Sequence, residues 1–276
     1  MAVAPVSARV GPGGRGVALV AAFLLAGCAG AQTGGGPPGP PPDVSLDSYW
    51  DWQLGGPVDF SRKLKMLDVD PDSVSAAQIA QARAAGVSTI AYISVGTWED
   101  WRADKGAFPA SVKGNNLASW PGEKYLDIRQ QAILLPIMQA RFQRARDKGF
   151  DAIEPDNMDV YANNSGFTIS AADTVSYVKA LASIAHGMGL EIGQKNVPEL
   201  TGQLANTLDF VITEDCFDQG WCSQVLAYRD AGKPVLAAEY TDTGVNWSAA
   251  CSWARAQGVH MILKDRNLTA QLTPCN

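Results

Sequence analysis

The feature that most constrains this chain is an alternation. Short apolar, strand-like runs recur eight times from residue 49 onward, separated by longer helical patterns. Such alternation marks successive βαβ units, because parallel neighbours need a crossover long enough to hold a helix. The runs are Tyr49–Leu54, Lys65–Val69, Thr89–Ser94, Ala152–Pro155, Glu191–Gln194, Phe210–Thr213, Val235–Ala238 and His260–Leu263. The spacing predicts helices over Ala76–Ala85, Ala171–Gly187, Trp221–Ala231 and Ser248–Gln257. Gly86, Gly232 and Gly258 follow three of them as helix stops, and Ser170 precedes another as an N-cap. Pro136 interrupts the helix-like stretch Ile128–Lys148, so a turn and then a helix starting near Pro136 is expected. Eight such units in about 230 residues point to an α/β architecture, a single (β/α)8 TIM barrel over residues 46–276. No GxGxxG follows the first strand, which disfavours a dinucleotide-binding sheet.

Two segments precede this region. Arg9 and Arg15 come before the apolar run Val17–Leu25, too short for a membrane helix of roughly 20 residues but suited to a signal-peptide core. Residues 1–27 read as a lipoprotein signal peptide, since Leu25-Ala26-Gly27-Cys28 resembles the bacterial lipobox with Cys28 as the lipidated residue. Cleavage at the small residues Ala29-Gly30-Ala31 is the other option. Residues 28–45 are dominated by Gly and Pro, as a flexible tether is. The expected location is the bacterial cell envelope, outside the cytoplasm and held to the membrane by an N-terminal lipid anchor, or the secreted medium.

The formal charge is −6, and removing the two Arg before Cys28 brings the rest nearer −8. An acidic chain argues against nucleic acid as a partner, because phosphates need a basic face. Four cysteines remain after Cys28, an even number in an exported chain, which implies disulfides. Of the three possible pairings, Cys216–Cys222 and Cys251–Cys275 are favoured because each closes a local loop. No CxxC or HxxxH spacing suggests zinc; neither metal nor cofactor is expected.

In such barrels the active site lies at the C-terminal strand ends. Those ends carry Gln53, Asp68-Val69-Asp70, Tyr92-Ile93-Ser94, Glu154-Pro155-Asp156-Asn157 with Asp159 beyond, Lys195-Asn196, Glu214-Asp215, Glu239-Tyr240 and Lys264-Asp265. A single such Asp is usually a helix cap or loop residue. Many carboxylates on one rim repel one another, which calls for a functional or cation-binding reason. Glycoside hydrolysis needs two, one protonated to assist the leaving oxygen and one as nucleophile or base. The two histidines, His186 in a helical pattern and His260 at a strand start, disfavour a Ser-His-Asp triad or a histidine metal site. Oxidised cysteines leave no thiol nucleophile. Among the aromatics, Trp50, Trp52 and Trp253 read as core; Trp98, Trp101 and Trp120 divide evenly between core and sugar stacking.

Trp50-Asp51-Trp52-Gln53-Leu54, Tyr92-Ile93-Ser94-Val95-Gly96-Thr97-Trp98-Glu99-Asp100-Trp101-Arg102, Trp120-Pro121-Gly122-Glu123, Leu126-Asp127-Ile128-Arg129, Gly149-Phe150-Asp151-Ala152-Ile153-Glu154-Pro155-Asp156-Asn157-Met158-Asp159, Lys195-Asn196 and Glu214-Asp215-Cys216 resemble glycoside hydrolase family 114, the endo-α-1,4-polygalactosaminidases. The resemblance spans essentially the whole chain after the tether. It implies a (β/α)8 barrel cleaving α-1,4-linked galactosamine polymers, with catalytic carboxylates after strands 4 and 6. These map onto Asp156 as nucleophile and Glu214 as general acid/base, with Glu154 a possible partner of either. Thr213-Glu214-Asp215-Cys216 stands where the family has Asn-Glu-Gln-Cys, keeping Glu and Cys and adding a charge. The expected substrate contacts are Asp68, Asp70, Tyr92, Trp98, Glu154, Asn157, Asp159, Lys195, Asn196, Glu239 and Tyr240. Deacetylated galactosamine is cationic and suits an acidic rim including Asp68, Asp70 and Asp159. Other readings are a hydrolase of a different aminosugar polymer on the same scaffold, or a non-catalytic carbohydrate-binding surface lipoprotein, which would not need both Asp156 and Glu214. Strands 4 and 6 lie close in a barrel, which leans toward a retaining outcome.

Overall fold

The structure, a computed structural model, describes residues 46–118 and 120–275. The expected signal peptide, lipidated Cys28 and the whole tether over residues 28–45 lie outside the described residues.

All eight expected strands form, as β1 (Trp50–Gln53), β2 (Met66–Val69), β3 (Ser88–Ser94), β7 (Ala152–Asp156), β8 (Glu191–Lys195), β9 (Phe210–Glu214), β10 (Val235–Tyr240) and β11 (His260–Lys264). They pair in parallel in that order, and a short β12 (Thr273–Pro274) adds antiparallel to β11. The sheet curls until its first and last parallel strands meet. No backbone ladder joins β1 to β11 among the described residues; side chains close the seam. The Trp50 indole donates to the His260 carbonyl at 2.9 Å, the Tyr49 and His260 rings stack, and Lys264 pairs with Asp51 at 2.7 Å. The fold is α/β, a single (β/α)8-type barrel.

Strand side chains alternate between faces, and here that alternation sorts core from site. Trp50, Met66, Ile90, Ala152, Phe210, Ile212, Leu236, Ala238 and Ile262 fill the barrel interior. Two residues further along several of these strands the inward set turns polar: Met66 gives way to Asp68, Ile90 to Tyr92, Ala152 to Glu154 and then Asp156, Ile212 to Glu214. The opposite face, including Leu67, Val69, Ile93, Ile153, Ile192 and Val211, packs under the helices.

Six of the eight strands are followed by a helix before the next parallel strand. The helices are α1 (Ala76–Ala84), α2 (Gln131–Lys148), α3 (Ala171–Gly187), α4 (Thr201–Leu204), α5 (Ala227–Asp230) and α6 (Trp247–Gln257). Ser75 and Ser170 make capping boxes with Gln78 and Asp173, so two orphan amides at each start are satisfied. Two expectations are corrected. The α2 helix starts at Gln131 and runs through Pro136. Proline leaves the Ala132 carbonyl without its helical donor, but both residues are exposed, so water can reach it. Leu134, Met138 and Phe142 form the buried stripe that holds α2 on the sheet; Phe142→Ala would cost about 3–5 kcal/mol. The helix expected over Trp221–Ala231 breaks into a 3-10 turn (Cys222–Val225) and the single turn α5, because a disulfide ties Cys222 back to Cys216 just after β9.

The third unit carries an insertion that periodicity did not reveal. Between β3 and α2, β4 (Thr97–Glu99), β5 (Lys113–Asn116) and β6 (Glu123–Leu126) form a separate antiparallel sheet in the order β4-β6-β5. Both favoured disulfides form, Cys216–Cys222 and Cys251–Cys275.

Candidate active site

Lys195, the last residue of β8, points into the mouth and is buried. An ammonium has three hydrogens, and three carboxylates surround this one. Its Nζ lies 2.9 Å from Glu154 Oε1, 2.9 Å from Asp156 Oδ1 and 3.2 Å from Glu214 Oε2. Burial opposes its charge, but Asp156, Glu154 and Glu214 hold it well above the usual lysine range. The Trp52 ring lies 4.5 Å below the same nitrogen, adding a cation–π contact.

Asp156 ends β7. Its second oxygen accepts from the Tyr92 phenol at 2.9 Å and from Asn157 Nδ2 at 3.2 Å. Burial pushes its carboxyl up, yet Lys195, the Tyr92 phenol and the Asn157 backbone N–H hold it below the ordinary value, which favours the ionised form. Glu214 ends β9. One oxygen accepts from the Tyr240 phenol at 2.5 Å, and the other from Asn196 Nδ2 at 3.1 Å. Asn196 also accepts from the Glu214 amide at 2.9 Å, which fixes both residues at once.

The backbone turns sharply at each of these exits. Asn157, Asn196 and Asp215, directly after β7, β8 and β9, have φ of 61°, 49° and 52°. Asn and Asp tolerate this left-handed region better than most side chains. Gly96 lets the chain after β3 lie against the same corner, for a Cβ there would sit 1.8 Å from the Asn157 carbonyl oxygen.

These groups open into a cleft of about 860 Å³. Asp70, Tyr92, Asp156, Asn157, Asp159, Lys195, Asn196, Glu214 and Tyr240 of the expected set line it. The inserted sheet and its loops supply another wall, with Glu123, Trp101 and Trp120, the two tryptophans about half exposed. Asp70 pairs with Arg102 at 2.9 Å. Glu123 and Asp159 have no cation partner among the described residues; Glu123 accepts from Thr97 at 2.6 Å and Asp159 from Asn163 at 2.9 Å. Burial pushes Glu123 up to about 7 and raises Asp159 as well.

Four expected contacts lie elsewhere. Asp68 and Glu154 are buried beneath the cleft floor. Trp98 packs under Lys113 and donates its indole N–H to the Lys105 carbonyl. Glu239 neighbours Tyr240 and so points to the opposite face, where it accepts from the Phe217 and Asp218 amides at 2.7 and 3.1 Å. Cys216, Cys222 and Glu239 are close enough to hold a metal ion, but the two sulfurs are joined and the carboxylate is occupied by those amides. Sequence reasoning missed Trp52, which lines the cleft floor, and Glu123 and Arg266, which line its sides. For Trp52 the strand alternation shows the direction but not the height in the barrel.

The barrel mouth thus gathers three carboxylates on one ammonium beside a wall that carries aromatic rings. The glycoside hydrolase family GH114 model matches residues 32–276, and the chain belongs to that family. The crystal structure of Aspergillus fumigatus Ega3 in complex with galactosamine is 33% identical and superposes with a TM-score of 0.77, covering 83% of this chain and 96% of that one. The glycoside hydrolase domain of PelA from Pseudomonas aeruginosa, at 15% identity and a TM-score of 0.64, covers 83% and 98% and shares the fold. An uncharacterised protein of Deinococcus radiodurans is 28% identical over 91% of this chain and 96% of its own. The protein is a glycoside hydrolase.

Proposed function

We propose that this enzyme cleaves galactosamine-containing polysaccharide within the chain by a retaining, two-carboxylate mechanism. The observation that carries the reading is the Lys195 bridge. Oxygens of Asp156 and Glu214 lie 2.9 and 3.2 Å from one nitrogen, so those oxygens are at most about 6 Å apart. One cation shared by both carboxylates holds them close, which favours the shorter spacing of roughly 5–5.5 Å that direct attack by one carboxylate needs.

Glu214 first takes up a proton from solvent; Asp156, held ionised, then attacks the anomeric carbon while Glu214 passes that proton to the departing oxygen. A glycosyl–Asp156 ester forms and the glycosidic bond breaks. Glu214, now ionised, takes a proton from water as that water attacks the anomeric carbon and frees Asp156. Glu123 and Asp159 offer negative charge to an ammonium group, and Trp101 and Trp120 offer faces for sugar C–H surfaces. The likeness to a protein solved with galactosamine supports the same substrate class. The reading further holds that partly deacetylated polymer is preferred, because acetylation removes the cation. Two disulfides support action outside the cytoplasm, consistent with export and tethering through Cys28.

Incubation with galactosamine-rich exopolysaccharide should release soluble oligomers whose first-formed anomer matches the substrate. Equal or better cleavage of the fully acetylated polymer, or an inverted anomer, would overturn the corresponding part.

A further inference from the structure

Asp68 is left over by the chemistry above. It occupies the inward position two residues beyond Met66 on β2 and is fully buried. Neither of its oxygens receives a hydrogen bond from an N–H or O–H donor among the described residues. The group within hydrogen-bonding reach is the carboxyl of Glu154. Two ionised carboxylates so placed would both be acceptors, facing each other away from water. One proton must therefore lie between them.

Their other partners decide which residue carries it. Glu154 accepts from Lys195 Nζ at 2.9 Å on one oxygen and from Trp52 Nε1 at 3.1 Å on the other. Asp68 has no such donors, so the stabilised charge belongs on Glu154 and the proton on Asp68. The charged groups facing Asp68 are Glu154 and Asp156 on β7 and Lys195 on β8. Burial first, then the two carboxylates, raise its carboxyl well above the usual range, with Lys195 opposing.

We propose that Asp68 is a positioning residue, a neutral carboxylic acid that donates to Glu154 and so keeps Glu154 an anion anchoring Lys195 between Asp156 and Glu214. All three Lys195 hydrogens then have a carboxylate acceptor. With the proton on Glu154 instead, one hydrogen would lose its anionic acceptor. The ammonium would be drawn toward the other two carboxylates and their separation would change. The effect on rate rests on the two-carboxylate reading above; the location of the proton does not.

The test uses the full chain with Asp68→Asn and Asp68→Val. Asn keeps the shape and an N–H donor for Glu154 but cannot ionise; Val offers no donor. The infrared difference spectrum between wild type and D68N at neutral pH should contain the C=O stretch of one protonated carboxylic acid in the wild type. Its absence overturns the proposal whatever the activity. On galactosamine polymer, D68N should keep kcat within about threefold, while D68V should lose about 10- to 100-fold in kcat with KM within about twofold, because the reacting groups shift and the substrate contacts stay. The acidic limb of the D68V pH profile should also move to higher pH, since Glu154 without that donor takes up a proton more readily. A D68V enzyme with wild-type kcat and profile overturns the positioning role, as does a D68N enzyme equally impaired at an unchanged Tm. If D68V does not fold, D68N and the infrared band decide. An inactive wild type would sink the functional reading while leaving the infrared result to judge Asp68.

Discussion

Lys195 Nζ lies 2.9 Å from Oδ1 of Asp156 at the barrel mouth; the lysine is buried, and the Asp156 side chain is about one-fifth exposed to the cleft. Replacing this lysine by methionine leaves Glu154, Asp156 and Glu214 without their shared cation. Uncompensated buried charge costs about 3–5 kcal/mol, so the Tm of K195M should fall clearly. Its kcat should drop more than about 100-fold, because the carboxylates lose their relative placement. Lys195→Arg should not restore activity, since a guanidinium spreads its donors in a plane and cannot gather three acceptors around one nitrogen as an ammonium does. Thermal melting and initial rates check this; a K195M enzyme with wild-type Tm and rate would refute it.

The roles proposed for Asp156 and Glu214 separate by leaving group. Asp156→Asn and Glu214→Gln should each lower kcat on polymer by about 10²–10⁴-fold or more. A substrate whose leaving group needs no proton should recover the first step in E214Q but not in D156N. A burst of released leaving group in E214Q, measured by rapid mixing, is the expected signature. The same burst in D156N would reverse the assignment.

Glu123 gives the cleft a pH dependence. Its carboxyl is pushed up to about 7 from an ordinary 4.5, chiefly by burial. As pH falls through 7 it takes up a proton and stops attracting a cationic sugar, so KM should rise. Glu123→Gln should raise KM at pH 8 and flatten its pH dependence. Stability runs the other way. Between about 4.5 and 7 the folded state holds a proton that the unfolded state has released, so stability falls as pH rises through that window. Glu123→Gln should remove part of that fall, on the order of 1–3 kcal/mol. Tm measured against pH in both proteins is the check, and identical slopes would count against it.

Trp101 and Trp120 are about half exposed on the cleft wall. Replacing either by alanine should raise KM on polymer about 10-fold, the loss of a stacking contact worth ~1–1.5 kcal/mol. The kcat on short oligomers should stay near wild type, and so should Tm. Equal loss on short and long substrates would show that these rings act on the chemistry instead.

Much of the barrel is legible along the chain because strand alternation is local. Met66 to Asp68, Ile90 to Tyr92 and Ala152 to Glu154 each show an inward face turning polar within two residues. The same rule tells Glu239 from Tyr240: they are adjacent, so only one can face the cleft, and it is Tyr240. The β4–β6 sheet left no comparable trace, since its short strands are stabilised by pairing with each other and by the barrel rim. Pro136 misled because propensity favours a helix start there, while the buried face of Leu134, Met138 and Phe142 holds the helix through it.

The sequence by itself determined the order of strands, the direction each side chain takes and the polar character of the exits. Family resemblance then singled out Asp156 and Glu214 among them. Only the tertiary structure decided height and partnership: that Asp156, Glu214 and Glu154 meet on one ammonium, that Trp52 forms the floor, and that Asp68 lies below with no donor among the described residues. The reason is physical. Direction follows from the dihedral angles of one strand, whereas convergence follows from the register and closure of eight, set by contacts between residues far apart in the chain.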